Sequence, residues 1–471
     1  MQRLLIKNLL EWKMSPNRKP LILQGARQVG KTWLMKEFGR LHFKNTAYIS
    51  FFNNQRMKNV FEGDFSLERI LMNINLECGI EVKPDDTLII FDEIQEAPRA
   101  LESLKFFCEE APQYAIVAAG SLLGVALHNG VSFPVGKVNI LNVYPLNFKE
   151  FLDAMGETQL RTLLESKNYP LISDFKERYI FWLKNYYFVG GMPEAVSFFS
   201  EHKDYDAVRK IQNEILVQYE DDFSKHIEKS DLPRVRMVWN SIPMQLAKEN
   251  KKFFFGKIKE GARAKDFELA IEWLKDCGLI TKVHKVSKPA LPLKAYIDFA
   301  SFKLYSVDIG LLGAMSDLDA RTILEKNSIF VEFKGALTEQ FVLQEMKATT
   351  SFTPYYFSGE KSTYETDFLI QSGKNIIPIE VKAEENLKSK SLKVFCEKFS
   401  PEKAIRFSMS NYRKQDCRDN NSRGIPSGKL CNEILNFGFL IGSILNKLQD
   451  LRDSALPERR CSPDLNNSRK I

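Results

Sequence analysis

Along the first 150 residues, short unbroken apolar runs alternate with stretches in which apolar residues recur every three or four positions. The runs are Leu21–Gln24, Ala47–Phe51, Leu88–Phe91, Ala115–Ala119 and Val138–Val143. Each has the length of a strand, and a run without polar alternation is expected where both faces are covered. Between them, Leu101, Leu104, Phe107 and Cys108 keep helical spacing. Repeated β–α alternation predicts a parallel sheet flanked by helices, so the fold class expected is α/β. A helix is predicted over Trp33–Phe38, with Gly39 as its stop.

Beyond residue 150 the rhythm changes. Residues 150–228 read as mostly helical, interrupted by Gly190-Gly191-Met192-Pro193. Paired glycines before a proline force a tight turn, either a hinge or a close-packing site, and the pattern does not choose. Two helices are predicted over Arg234–Lys248 and Ala264–Lys275, then a strand through Leu279, Ile280, Val283 and Val286. Helix, helix and β-ribbon is the outline of a winged helix. Lys251, Lys252, Lys257, Lys259, Arg263 and Lys265 cluster around its second helix, either as phosphate contacts or as a solvated basic surface.

Residues 325–410 return to strands. Tyr364–Ile370 and Ile376–Lys382 flank a turn at Ser372–Asn375. A two-residue loop at Gly373-Lys374 sets Asp367 directly across from Glu380, with Lys382 on the same face. Glu339 lies upstream in a helical stretch, Leu337–Met346. Two carboxylates and a lysine converging on one face suit Mg²⁺ binding and activation of water for phosphodiester hydrolysis, with Glu339 completing the set. An amphipathic hairpin with a wet charged face is the plainer alternative.

Composition narrows the class. A chain of 471 residues exceeds a single core and divides into two to four domains by size. The formal charge of +7 is uneven. Residues 413–471 carry 11 Lys/Arg against 7 Asp/Glu, which leaves only +3 for the rest, so global charge says little about nucleic acid. The seven cysteines (78, 108, 277, 396, 417, 431 and 461) form no C-x-x-C, which argues against structural zinc and a disulfide framework. The charged N-terminus is not a signal peptide, and no apolar run approaches ~20 residues. A cytoplasmic protein without membrane contact is expected.

Chemistry concentrates in Gly25-Ala26-Arg27-Gln28-Val29-Gly30-Lys31-Thr32, which fits G-x-x-x-x-G-K-[ST] without a mismatch. A strand delivers this loop and a helix leaves it, so backbone N–H groups and the helix dipole are placed for phosphates. Lys31 is expected to neutralise β- and γ-phosphate charge, and Thr32 to ligate Mg²⁺. The run Leu88–Phe91 ends in Asp92-Glu93, at the strand edge where ligands collect in open α/β sheets. Asp92 is suited to hold Mg²⁺, and Glu93 to polarise the attacking water. Ser121, after the fourth run, either senses the γ-phosphate or caps the next helix. Arg27, Arg99 and Lys137 are candidates to stabilise transition-state charge. If a neighbouring subunit supplies that cation instead, the enzyme is a homo-oligomer.

Several motifs occur in one order: GARQVGKT (25–32), LIIFDEIQEAPRALESLKFF (88–107), AAGSLLGVAL (118–127), SFPVGKV (132–138), YPLNFKEF (144–151), GGMPEAV (190–196), FKLYSVDIGLL (302–312) and GALTEQFVLQEM (335–346). Through them the chain resembles a prokaryotic family of AAA-type ATPases with a C-terminal domain of unassigned function. The resemblance covers residues 1 to about 410. It implies a P-loop ATPase core, a winged helix and a domain similar to PD-(D/E)xK nucleases of the restriction-endonuclease type. It carries Lys31, Thr32, Asp92 and Glu93 over as the nucleotide site, and Glu339, Asp367, Glu380 and Lys382 as the nuclease-like site. Thr366 stands where a proline is usual, and residues after about 412 depart from the family's ending.

The organisation expected is a P-loop domain at 1–165, a helical lid at 166–228, a winged helix at 229–320 and a nuclease-like domain at 321–412. Residues 413–471, polar and rich in Arg, Asn, Asp and Ser, are expected to be largely disordered, with 434–445 able to dock as a helix. The function expected is ATP hydrolysis, with ATP and Mg²⁺ as cofactors, coupled to a C-terminal half that binds or cuts DNA. The alternative is an ATP-dependent switch that binds DNA or protein without cleaving it. A metabolite kinase is disfavoured, since no phosphoacceptor pocket is visible.

Overall fold

The computed structural model describes residues 2–120, 133–248, 251–324, 331–359, 364–383, 390–411, 413–415 and 433–437. The five apolar runs are strands: β1 Leu21–Gln24, β2 Asn45–Ser50, β3 Thr87–Asp92, β4 Ala115–Ala119 and β5 Asn139–Asn142. They form one parallel sheet in the order β2-β3-β4-β1-β5. Pleating divides their side chains between two apolar layers. Leu21, Leu23, Leu88, Ile90 and Val117 enter one layer, and Ile22, Ile89, Phe91 and Ile116 the other. Burial on both faces is why β3 and β4 read as unbroken apolar runs.

Gly39 does not stop the first helix, which runs Lys31–His42. A Cβ there would lie 2.4 Å from Thr46 Oγ1, so this glycine lets the helix approach β2 closely. The helices that follow, from Phe148–Ala154 through Tyr205–His226, pack on the first of the two layers. The Gly190-Gly191 turn is a close-packing site. A Cβ on Gly190 would meet Asp308 Oδ1 at 2.1 Å, and one on Gly191 would meet Leu146 O at 2.2 Å. Asp308 reinforces the junction by accepting from Gly191 N at 2.6 Å and from Leu311 N at 3.1 Å.

The C-terminal half is built on a mixed sheet of eight strands: β6 Ile280–Val286, β7 Ile297–Ser306, β8 Tyr355–Ser358, β9 Glu365–Ser372, β10 Asn375–Val381, β11 Lys403–Phe407, β12 Arg413–Gln415 and β13 Glu433–Phe437. Their order is β12-β13-β11-β10-β9-β8-β6-β7. The helix pair Leu232–Leu246 and Glu268–Asp276 precedes the antiparallel β6–β7 ribbon, as the pattern predicted. That ribbon also pairs with β8, so hydrogen bonding continues across residue 320.

One expectation for the C-terminus needs correction. Within 413–471 the described stretches 413–415 and 433–437 are strands, and 434–437 pairs parallel with β11 instead of docking as a helix. An open β11 edge offers unpaired N–H and C=O groups, and Ile434, Leu435 and Phe437 are good strand formers. The remaining residues of 413–471 lie outside those described.

A helix over Val331–Thr349 ties the halves together. Gln340 accepts from Ser306 N at 3.0 Å and donates to Ser306 O at 2.7 Å. Gln344 accepts from Ile309 N and donates to Tyr186 Oη and Asp308 Oδ2, all within 3.0 Å. Glu345 Oε1 accepts from Phe148 N at 2.7 Å. Buried polar groups matched in this way fix one docking geometry, because a slip would leave several unsatisfied. Among the described residues no helix is long and apolar enough to cross a membrane.

Candidate functional site

The phosphate-loop residues lie between β1 and the helix that starts at Lys31. Three of them have left-handed backbone: Gly25 (φ 151), Gln28 (φ 63) and Gly30 (φ 89). Gly25 admits no side chain, since a Cβ would stand 2.1 Å from Val143 O. Ala26 and Val29 are buried and anchor the loop in the core. Lys31 donates to Gly25 O at 2.9 Å and Ala26 O at 2.7 Å. Burial pulls its pKa down to about 8, against the opposing pull of Glu93 and Asp92.

Thr32 Oγ1 donates to Asp92 Oδ2 at 2.8 Å, so the loop and the tip of β3 meet. Tyr48 on β2 donates to the same oxygen at 2.9 Å. Burial first, then Asp92, pushes this phenol up to about 12, so it stays a donor at physiological pH. Glu93 sits in left-handed backbone (φ 51) and accepts from Gln95 Nε2 at 2.6 Å. Such a conformation costs a non-glycine residue about 1 kcal/mol or more and clusters at functional sites. The hydroxyl of Thr32 and the carboxylate of Asp92 offer oxygens to a hydrated Mg²⁺, and the adjacent Lys31 ammonium offers its charge to phosphates. Arg27 pairs with Asp222, Arg99 with Glu102 at 2.7 Å and Lys137 with Glu109 at 2.8 Å. Ser121 lies outside the described residues.

In the second constellation the hairpin keeps the predicted register, with Ile379 opposite Phe368 and thus Asp367 and Glu380 next in line. Glu339 and Glu380 both act electrostatically on the buried Asp367, whose carboxyl is raised well above the usual range by burial first and these two charges second. Asp367 Oδ2 accepts from Val381 N at 2.7 Å. Lys382 Nζ lies 2.7 Å from Glu380 Oε1.

Glu339, Asp367 and Glu380, the residues expected to hold Mg²⁺, lie among cations supplied by the chain itself. Among the described residues no three His, Cys, Asp or Glu side chains stand as a metal-ligand group. Glu339 Oε1 is ion-paired with Lys251, and Glu339 Oε2 accepts from Tyr305 Oη at 3.0 Å. Lys303, buried on β7, lies 4.0 Å from Glu339 and 2.6 Å from Glu365. Burial opposes the Glu339 charge, but Lys251 and Lys303 outweigh it and hold the carboxyl below its usual range. The ammonium groups of Lys251 and Lys303 thus occupy positions at Glu339 for which a divalent ion would have to compete.

Residues 17–152 match the family described as AAA domain. This match takes in the phosphate loop, β3 and the Asp92-Glu93 tip. Residues 180–322 and 334–426 match two domains of unknown function, DUF8612 and DUF4143. An uncharacterised protein of Methanocaldococcus jannaschii is 23% identical over 409 residues, spanning 84% of this chain and 81% of that one. Among solved structures, the Walker-type ATPase of Pyrococcus abyssi aligns over 67% of this chain and 95% of its own, with TM-score 0.43 and 14% identity. The Orc1 protein of Aeropyrum pernix in complex with DNA covers 66% and 91%, with TM-score 0.26 and 13% identity. RuvB of Thermotoga maritima covers 63% and 93%, at 0.30 and 15%.

Contacts from segments distant in sequence hold the phosphate loop in place. Tyr219 Oη donates to Arg27 O at 2.9 Å, beside the Arg27–Asp222 pair, and Gln28 bonds Gln218. A Cβ on Gly278 would lie 3.1 Å from Ala26 N, so the turn before β6 abuts the loop. Arg3 donates to Val29 O at 2.9 Å and to Tyr144 O at 2.7 Å. None of Tyr48, Arg3, Asp222, Tyr219 or Gly278 has a local signal in the sequence, because each acts through a long-range contact.

Proposed function

We propose that the chain couples ATP turnover in its AAA domain to DNA binding by its C-terminal half, and that this half binds without cutting. The domains proposed are 1–165 for the ATPase, 166–228 for a helical lid, 229–320 for a winged helix and 321–412 for a nuclease-like fold. The observation that carries the ATPase reading is the 2.8 Å contact between Thr32 Oγ1 and Asp92 Oδ2, with Lys31 and Glu93 beside it. Mg²⁺, when bound there, supplies charge neutralisation for the β- and γ-phosphate oxygens. Backbone N–H groups of residues 25–32 and the Lys31 ammonium hold the phosphates, the ammonium exchanging its two loop carbonyls for them. Thr32 and Asp92 hold the metal, and Glu93, steadied by Gln95, orients water in line with the γ-phosphate. With Arg27, Arg99 and Lys137 each paired to a carboxylate of this chain, a second copy is the proposed source of the transition-state cation.

The coupling route runs from the loop through Arg27–Asp222 and Gly278 into the helix pair and the β6–β7 ribbon. Lys257, Lys259, Arg263 and Lys265 are exposed there and form the proposed phosphate-contacting face. Lysine-neutralised carboxylates at Glu339 favour binding over cleavage. The test measures phosphate release, duplex retention and strand cutting for wild type, Lys31→Ala and Glu93→Gln with ATP and Mg²⁺. Release should stop in both variants while DNA is retained uncut. Undiminished release in Lys31→Ala removes the ATPase reading, and strand cutting abolished by Glu380→Ala removes the non-cleaving one.

A further inference from the structure

Lys251 belongs to the basic run Lys251–Lys265, yet it is turned away from solvent. Its side chain is 13% exposed and is ion-paired with Glu339, whose side chain is 4% exposed. Its backbone is left-handed (φ 47), a conformation unfavourable for a lysine, so a specific contact must hold it there. The chain just after it is fastened to β7, since Phe253 N donates to Phe302 O at 2.9 Å and the two rings stack at 5.4 Å. Lys251 thus reaches the acid cluster from the helix-pair segment, outside the hairpin that carries Asp367 and Glu380.

The cluster is nearly balanced without any added ion. Lys251, Lys303, Lys382 and Arg406, the last across from Glu380 on β11, stand among Glu339, Glu365, Asp367 and Glu380. One oxygen is left over: Glu380 Oε2 is buried with no hydrogen-bond partner among the described residues. An orphaned buried acceptor is costly, and this one belongs to the carboxylate that acts on Asp367. A dication and the Lys251 ammonium compete for the same Glu339 oxygen, and a dry site does not tolerate both charges side by side.

We propose that Lys251 is a built-in counter-cation that keeps this cluster closed to divalent metal ions, and that removing its charge opens a cation site on Glu339, Asp367 and Glu380. The proposal deepens the non-cleaving reading of the C-terminal half. Its test scores metal binding rather than DNA cutting, so the two fail separately. Full-length protein, stripped of metal and free of nucleotide, is titrated with Mn²⁺ while bound Mn²⁺ is counted by electron paramagnetic resonance. Lys251→Met, which keeps the aliphatic length, and Lys251→Ala should each bind about one more equivalent than wild type. The gain should vanish in Lys251→Met/Asp367→Asn. Folded Lys251 variants with no added Mn²⁺ overturn the proposal. So does wild-type binding that falls on Asp367→Asn, a measurement that needs no change at residue 251.

Discussion

Replacing Glu345 by Gln removes a buried charge while keeping an oxygen to accept from Phe148 N–H. Glu345 is 1% exposed, and burial raises its carboxyl from 4.5 to about 7, with Glu150 adding to the rise while Phe148 N–H and Lys149 oppose it. Because the folded value lies above the unfolded one, the folded state binds this proton more tightly between pH 4.5 and about 7. Stability therefore falls as pH rises through that window, and the whole cost is present above it. A carboxyl moved that far corresponds to about 3 kcal/mol. The glutamine amide N–H₂, lacking an assured partner, gives back about 1 kcal/mol. Glu345→Gln should thus gain about 2 kcal/mol at pH 8 and lose slightly at pH 5. Melting curves of both proteins at both pH values read this as a double difference, in which all other titrations cancel. The expected change is about 2–3 °C in relative melting temperature. An equal offset at pH 5 and pH 8 would refute a buried, proton-linked Glu345.

Two further outcomes follow from residues already placed. Free Lys31 loses its proton near pH 8, and phosphate restores the charged form. ATP binding should then take up a proton at pH 8.5 and almost none at pH 6.5, measured by calorimetry in buffers of different ionisation heat; equal uptake at both refutes it. Gly190→Ala forces a Cβ to 2.1 Å from Asp308 Oδ1 at a φ of +72, which should cost about 3 kcal/mol or more and sharply reduce soluble yield; an unchanged melting temperature argues against the close packing.

What the sequence discloses follows from whether a residue's role is local. β1 and β4 end where their apolar runs end, because burial on both faces leaves an unbroken signature. The Asp367–Glu380 register is readable because one short turn sets it. Gly39 misleads because the same lack of a side chain serves a helix stop or a close approach, and only the position of Thr46 distinguishes them. Residues 433–437 mislead for another reason: a strand that completes a distant edge carries no hairpin partner beside it in sequence. The lysines at the acid cluster mattered most. Lys251 reads as one more member of a basic run, and only the fold shows that it faces Glu339.

The pairing of β6 with β8 limits how this protein can be dissected. Expressing residues 1–320 alone would leave β6 with a bare flank of peptide groups, an invitation to pair with another molecule, while a fragment starting at 321 would expose β8 in the same way. Any exchange of C-terminal parts between relatives would have to carry the stretch from Ile280 through Phe437 as one graft.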